Sequence, residues 1–162
     1  MIASVSGRLA GRDGERVVVE TDGGVGYALA VPLGVAERLP PAGGRVTLVT
    51  ELVVREDDWL LFGFDSLAER EVFRRLLGAS GLGPRLALAM LSALGPARAV
   101  RAIAGKDVAA LATVPGIGRK RAERMILELE DKLRELEAAF PDAPAAPAAG
   151  GAAAVAALAG LG

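Results

Sequence analysis

Ser80-Gly81-Leu82-Gly83-Pro84-Arg85 and Pro115-Gly116-Ile117-Gly118-Arg119-Lys120-Arg121 are two versions of one pattern, a Gly-x-Gly turn that opens an apolar, helix-like run. Glycine takes φ > 0 and carries no Cβ, so successive backbone N–H groups can converge on an anion at the positive end of the following helix. Nucleic-acid phosphate is the anion this arrangement suits. Arg119, Lys120 and Arg121 fall in the first helical turn, where cations oppose the helix dipole at a cost of about 0.3–1 kcal/mol each. A bound phosphate offsets that misplacement. A lone Gly-x-Gly is usually just a tight turn, but two of them about 35 residues apart form a pair. The pair reads as tandem helix-hairpin-helix motifs that bind DNA, with Gly81, Gly83, Arg85, Gly116, Gly118, Arg119, Lys120, Arg121 and Arg124 as the contacting residues.

Charge is segregated along the chain. Residues 1–77 carry 9 basic and 12 acidic side chains, 78–124 carry 8 and 2, and 125–162 carry 2 and 6. The middle segment alone is basic, and it holds both glycine turns, so the electrostatic footprint and the phosphate cradles coincide. A helical bundle whose solvated faces carry Arg is the plain alternative for the charge. The 162 residues allow one or two small domains, with 52% hydrophobic residues to fill a core. There is no Cys and no His, which excludes disulfides, zinc-finger spacing, thiol nucleophiles and His-based acid–base chemistry. No catalytic residue, metal or cofactor is expected. Met1-Ile2-Ala3-Ser4 lacks the basic start of a secretory leader, and no charge-free run reaches about 18 residues outside the Ala/Gly/Pro tail. The expectation is a cytoplasmic protein without a membrane partner.

Residues 1–64 have a β texture. Apolar and β-branched runs at 1–9, 16–21, 25–31, 46–54 and 59–64 are separated by turn clusters such as Gly11-Arg12-Asp13-Gly14 and Asp22-Gly23-Gly24. With a short helix or loop at 32–39, they predict a five-stranded OB-fold barrel, a ligand-free sandwich being the alternative. Trp59, Phe62 and Phe64 lie in or beside one strand and are expected in its core, since a single-strand binder spreads exposed rings along a basic groove and this barrel is acidic.

From Leu67 the period becomes helical. Phe73, Leu76 and Leu77 follow i, i+3, i+4 spacing, Leu86, Met90, Leu91 and Leu94 continue it after the first glycine turn, Val108, Leu111 and Val114 mark a short helix before the second, and Met125, Ile126, Leu129, Leu133 and Leu136 extend a last helix to about Phe140. Its charged second half, 128–135, reads as a solvated face with no DNA role. The fold class is therefore α+β: a barrel domain over 1–64, an all-α domain with two helix-hairpin-helix motifs over 65–140, an Ala/Pro/Gly linker over 141–151 and the start of a further helix over 152–162.

Val53-Val54-Arg55-Glu56-Asp57-Asp58-Trp59 places three carboxylates on a hairpin tip. A solvated turn is the default, since Asp bonds locally in turns. A Mg²⁺ site for phosphodiester cleavage is the alternative, though three adjacent residues converge poorly on one ion. Together with Met1-Ile2, Gly24-Val25-Gly26-Tyr27, Leu61-Phe62-Gly63-Phe64, Gly81 to Ala89 and Val114 to Arg124, this segment resembles the RuvA family of bacterial Holliday-junction-binding proteins, in order and over 1–136. The resemblance implies non-catalytic binding of four-way junction DNA in homologous recombination and repair. It further implies a homotetramer, with an octamer possible on DNA, the ATPase RuvB and the resolvase RuvC as partners, and an acidic pin, here Glu56 and Asp57, at the crossover. Arg55 beside the pin joins the DNA-binding candidates, and Asp58 adds a third acid.

Family members continue into a small RuvB-contacting domain, and Ala154 to Gly162 resembles only its beginning, so the expectation is a chain without the family's attachment to the motor. Two other function classes compete. A helix-hairpin-helix glycosylase or nuclease needs a catalytic Asp after its hairpin, for which Asp131 and Asp142 are the candidates, and an aromatic base pocket. A protein-interaction module does not need cations set against a helix dipole.

Overall fold

The computed structural model describes residues 1–141, which fall into two compact units, Met1–Arg70 and a second that begins at Glu71. In the first, β1 (Ser4–Asp13), β2 (Arg16–Glu20), β3 (Gly26–Ala30), β4 (Arg45–Val54) and β5 (Trp59–Phe64) close into a barrel in the order β1-β2-β3-β5-β4. All neighbours are antiparallel except β3 and β5, which run parallel and meet at Ala30 and Phe62. Alternate residues face inward: Val5, Leu9, Val17, Val19, Leu29 and Leu48 form the core with Val35 and Ala36 of the short helix α1 (Leu33–Arg38). Closure leaves no unpaired sheet edge, and burying these β-branched and aliphatic side chains at about 25 cal/mol per Å² drives it.

Two expectations about the barrel need correction. The first strand begins at Ser4 and continues to Asp13, through the cluster that reads as a turn. Its pairing with β2 shifts register between Leu9 and Gly11, and this bulge bends the strand so that it follows the wall. The other concerns the aromatics: Phe62 and Phe64 are buried, but Trp59 is 72% exposed. It pairs with Val54 on the last rung before the hairpin tip, past the reach of the core.

Beyond the barrel run α2 (Leu67–Leu76), α3 (Pro84–Ala104), α4 (Val108–Ala112), α5 (Arg119–Arg134) and a 3-10 turn at Glu137–Ala139. Phe73, Leu76, Met90, Leu91, Ile103, Leu111, Met125 and Leu129 are its largest buried apolar groups. The last α-helix stops at Arg134 rather than near Phe140, because Leu136 N–H bonds the Leu133 carbonyl three residues back and the tighter turn takes over. α3 is long and apolar enough to cross a membrane by length and composition. It is broken, however, at Gly95 (φ 72°, ψ 163°) ahead of Pro96, and neither half approaches the ~20 residues a span requires. The linker and final segment, 142–162, lie outside the described residues.

Ser66 and Glu69 cap the start of α2 reciprocally: Glu69 N–H donates to Ser66 Oγ (3.1 Å), and the Glu69 carboxylate accepts the Asp65 N–H (3.2 Å). Glu69 is only 3% exposed. Burial pushes its carboxyl up to about 7, against the hydrogen bond from Asp65, while the nearby Asp65 charge raises it further and Arg38 lowers it. A raised folded value means that the native state keeps a proton the unfolded chain has lost. Stability from this group is therefore full below the ordinary carboxyl range and declines as pH rises toward about 7, by on the order of 3 kcal/mol in all. Glu69→Gln keeps an acceptor without the charge, so the variant should gain on the parent between pH 5 and pH 8 in urea unfolding; parallel pH profiles would show that Glu69 does not titrate in this window.

Candidate nucleic-acid interface

The two glycine turns adopt one geometry. Gly81 and Gly116 have φ of 77° and 87°, a region closed to most L-residues, and reverse the chain there. The apolar residue between the glycines is buried in each turn, Leu82 and Ile117 alike. Its N–H bonds three residues back, Leu82 to Ala79 O at 3.2 Å and Ile117 to Val114 O at 3.0 Å. Gly83 and Gly118 are then the N-caps of α3 and α5, in ordinary extended conformation and without any side-chain cap. Neither position is strained, and a Cβ on Gly118 would meet nothing within 4 Å, so its surroundings are open.

Two other helix starts carry side-chain caps, while the short α1 begins uncapped after Pro32. Asp107 caps α4 by accepting the Ala110 N–H at 2.9 Å, and α2 has its Ser66–Glu69 box. α3 and α5 have neither a side-chain cap nor an acid in the first turn, and among the described residues the N–H groups of Gly118, Arg119, Lys120 and Arg121 have no acceptor. A helix start with free donors and added cations is an anion site in waiting.

The cations are not equivalent. Arg119 Nε pairs with Glu123 at 3.0 Å, Arg124 Nε with Glu128 at 3.1 Å, and Arg121 Nη1 donates to the Gly116 carbonyl at 2.7 Å. Arg121 thus braces its own turn. Lys120 and Arg85 are exposed and form no ion pair among the described residues. Elsewhere in the basic segment, Lys106 is held by Glu130 at 3.0 Å and pulls that carboxyl below its usual range.

What joins the two turns was not legible from sequence. Glu128 accepts the Ser80 N–H at 2.6 Å while holding Arg124, so a carboxylate in the half of α5 that reads as a solvated face fixes the first hairpin. The Ser80 N–H draws its carboxyl below the ordinary range, with Arg124 adding to the effect. From the other side, a Cβ on Gly116 would come within 3.2 Å of Leu86 Cδ1 in the first turn of α3. Both helix starts are thereby held as neighbours. Glu128 bonds a backbone group 48 residues away, an interaction that leaves no trace in side-chain pattern.

In the barrel unit, Arg55, Glu56, Asp57 and Asp58 are all exposed at the tip between β4 and β5, where the Arg55 N–H closes the turn onto the Asp58 carbonyl at 2.8 Å. Among the described residues no group of three or more acidic side chains is placed to hold a metal ion. Asp131 lies on the exposed side of α5, and Asp142 is outside the described residues.

Comparison with known families matches residues 1–63 to the RuvA N terminal domain and residues 73–131 to the SAM-like helix-hairpin-helix tandem. Among curated relatives, the Holliday junction branch migration complex subunit RuvA of Gemmatimonas aurantiaca is 53% identical over 133 residues, 82% of this chain and 68% of that protein. The subunits of the same name from Laribacter hongkongensis and Solidesulfovibrio magneticus are 49% and 48% identical, each over 90% of this chain and 71% and 72% of theirs.

If Glu128 holds the first hairpin, Glu128→Ala should speed hydrogen exchange at the Ser80 amide, with Glu128→Gln intermediate because it still accepts. Since the folded carboxyl is depressed, protection of Ser80 in the parent should be constant above the ordinary carboxyl range of about 4.3 and fall only below it. Equal protection in parent and Ala variant would remove Glu128 from this role.

Proposed function

The chain belongs to the RuvA family, and from that premise we propose that it binds four-way Holliday junctions, without catalysis of its own, as the platform for branch migration in recombination and repair. The observation that carries this reading is the pair of glycine-capped, acid-free helix starts, held side by side in the one basic segment of the chain. Backbone amides of Gly81, Gly83, Gly116 and Gly118, with Arg85, Arg119, Lys120, Arg121 and Arg124, hold backbone phosphates, contacts that position DNA without reading its bases. The enzyme alternative is disfavoured: its one described candidate, Asp131, lies exposed on a helix surface.

The organisation proposed is a barrel domain over 1–64 and a tandem-hairpin domain over 65–140. Four arms call for four such units, so the working form is a closed homotetramer, with a face-to-face octamer as the further form. In the family the motor partner is the ATPase RuvB and the resolving partner is RuvC; the role proposed for this chain is the junction-binding one of residues 1–141, in the cytoplasm where the DNA is. Glu56 and Asp57 act at the crossover, with Arg55 on a neighbouring phosphate. Carboxylates among phosphates cannot raise general affinity; each repels at about 1 kcal/mol at 4 Å even in water. They raise selectivity, because an unbroken duplex would run across them while an open junction leaves a gap.

Gel shifts of a four-way junction against a linear duplex of equal length, with and without Mg²⁺, test the reading: tight junction binding and no cleavage are expected. Lys120→Ala should weaken junction binding irrespective of sequence and reduce the salt slope by about 0.9 for each phosphate that a subunit ceases to neutralise, while leaving stability equal or a few tenths of a kcal/mol higher. An unchanged slope would point to an interaction module instead.

Neutralising the tip gives an independent result. Glu56→Gln combined with Asp57→Asn should tighten duplex binding more than junction binding and narrow the ratio between them. A ratio that does not move would exclude the tip from substrate choice, and Mg²⁺-dependent cleavage that disappears in the double variant would reinstate a metal site.

A further inference from the structure

Trp59 is the single tryptophan of the chain, and the fold does not use it. It is 72% exposed while Leu61, Phe62 and Phe64 on the same strand are buried. Its cross-strand partner Val54 is 56% exposed. Together they form a small apolar step directly beneath the acidic tip. An indole left in water forgoes one of the largest burial gains any side chain offers, so an exposed one marks a surface that something covers.

A second copy of this chain is a poor occupant. Two side chains supply far less than the ~800 Å² per partner of a stable interface. A nucleobase needs only one flat face, and it carries no charge for the carboxylates to repel. In intact duplex both faces of a base are already covered by its neighbours. At a crossover, where strands part, a base loses a neighbour and offers an uncovered face.

We propose that Trp59, flanked by Val54, is a stacking platform for a base at the open crossover, an inference that rests on the junction-binding reading above. The tip and the ring then divide the nucleotide between them. The acids push phosphates aside, and the indole takes the base left without a stacking partner, which favours open junction over closed duplex a second time.

The lone tryptophan reports on itself. Its fluorescence should be quenched when the parent is saturated with four-way junction and much less when it is saturated with duplex. Trp59→Ala, which removes nothing from the core, should lose about five- to hundredfold in junction affinity, the range for one stacked base. Trp59→Phe should recover most of the loss, and light scattering should find the same assembly in all three proteins. Unchanged fluorescence on a junction that gel shift shows to be bound, or undiminished affinity in Trp59→Ala, overturns the stacking proposal and leaves the junction reading standing. Fluorescence that follows protein concentration without DNA, with a smaller assembly in Trp59→Ala, assigns the ring to a subunit contact and overturns the proposal likewise. Failure of the parent to bind junction in the gel overturns the junction reading, and the platform with it.

Discussion

The free backbone donors at the first turns of α3 and α5 are the constraint around which the second unit is built. α2 and α4 are capped conventionally, by Ser66 with Glu69 and by Asp107. At α3 and α5 glycine replaces the capping side chain and cations take the place of first-turn acids. A helix N-cap of this kind gives up a few tenths of a kcal/mol relative to Ser or Asp, and each cation adds a little more. That loss is tolerable only on well-packed helices, and both are anchored by buried aliphatic side chains on their inner faces.

Anchoring also explains how two separate turns act as one surface. Leu82 and Ile117 pin each turn to the core beneath it, Glu128 ties Ser80 to α5, and Gly116 lets the second turn approach Leu86. The acidic residues Glu123, Glu128 and Glu130 in this region each pair with a cation, Arg119, Arg124 and Lys106 in turn, leaving Lys120, Arg85 and Arg98 exposed and without an ion pair among the described residues.

The barrel unit solves a different problem. Closing the sheet removes its edges, so β4 and β5 can project a hairpin whose tip carries charge without exposing strand backbone to unwanted pairing. The tip carries three like charges, and the Arg55–Asp58 turn bond keeps it short. Trp59 lies where the last rung leaves the core, which is why its strand neighbours are buried and it is not.

Local pattern alone determined a good deal. The period-2 runs predicted five strands, the 3.6 period predicted the helices, and the glycine pairs with their trailing cations pointed to phosphate, because each of those signals is carried by residues within a few positions of one another. Boundaries were less legible: the register shift after Leu9 carried β1 through an apparent turn, and the last helix tightened after Arg134, short of Phe140, where the Leu136 N–H bonds the Leu133 carbonyl. Tertiary structure alone decided which side chains the core could reach, leaving Trp59 outside. It also decided that Glu128 is a brace rather than a solvated charge, since its partner is a backbone N–H, which every residue but proline carries and no sequence pattern distinguishes.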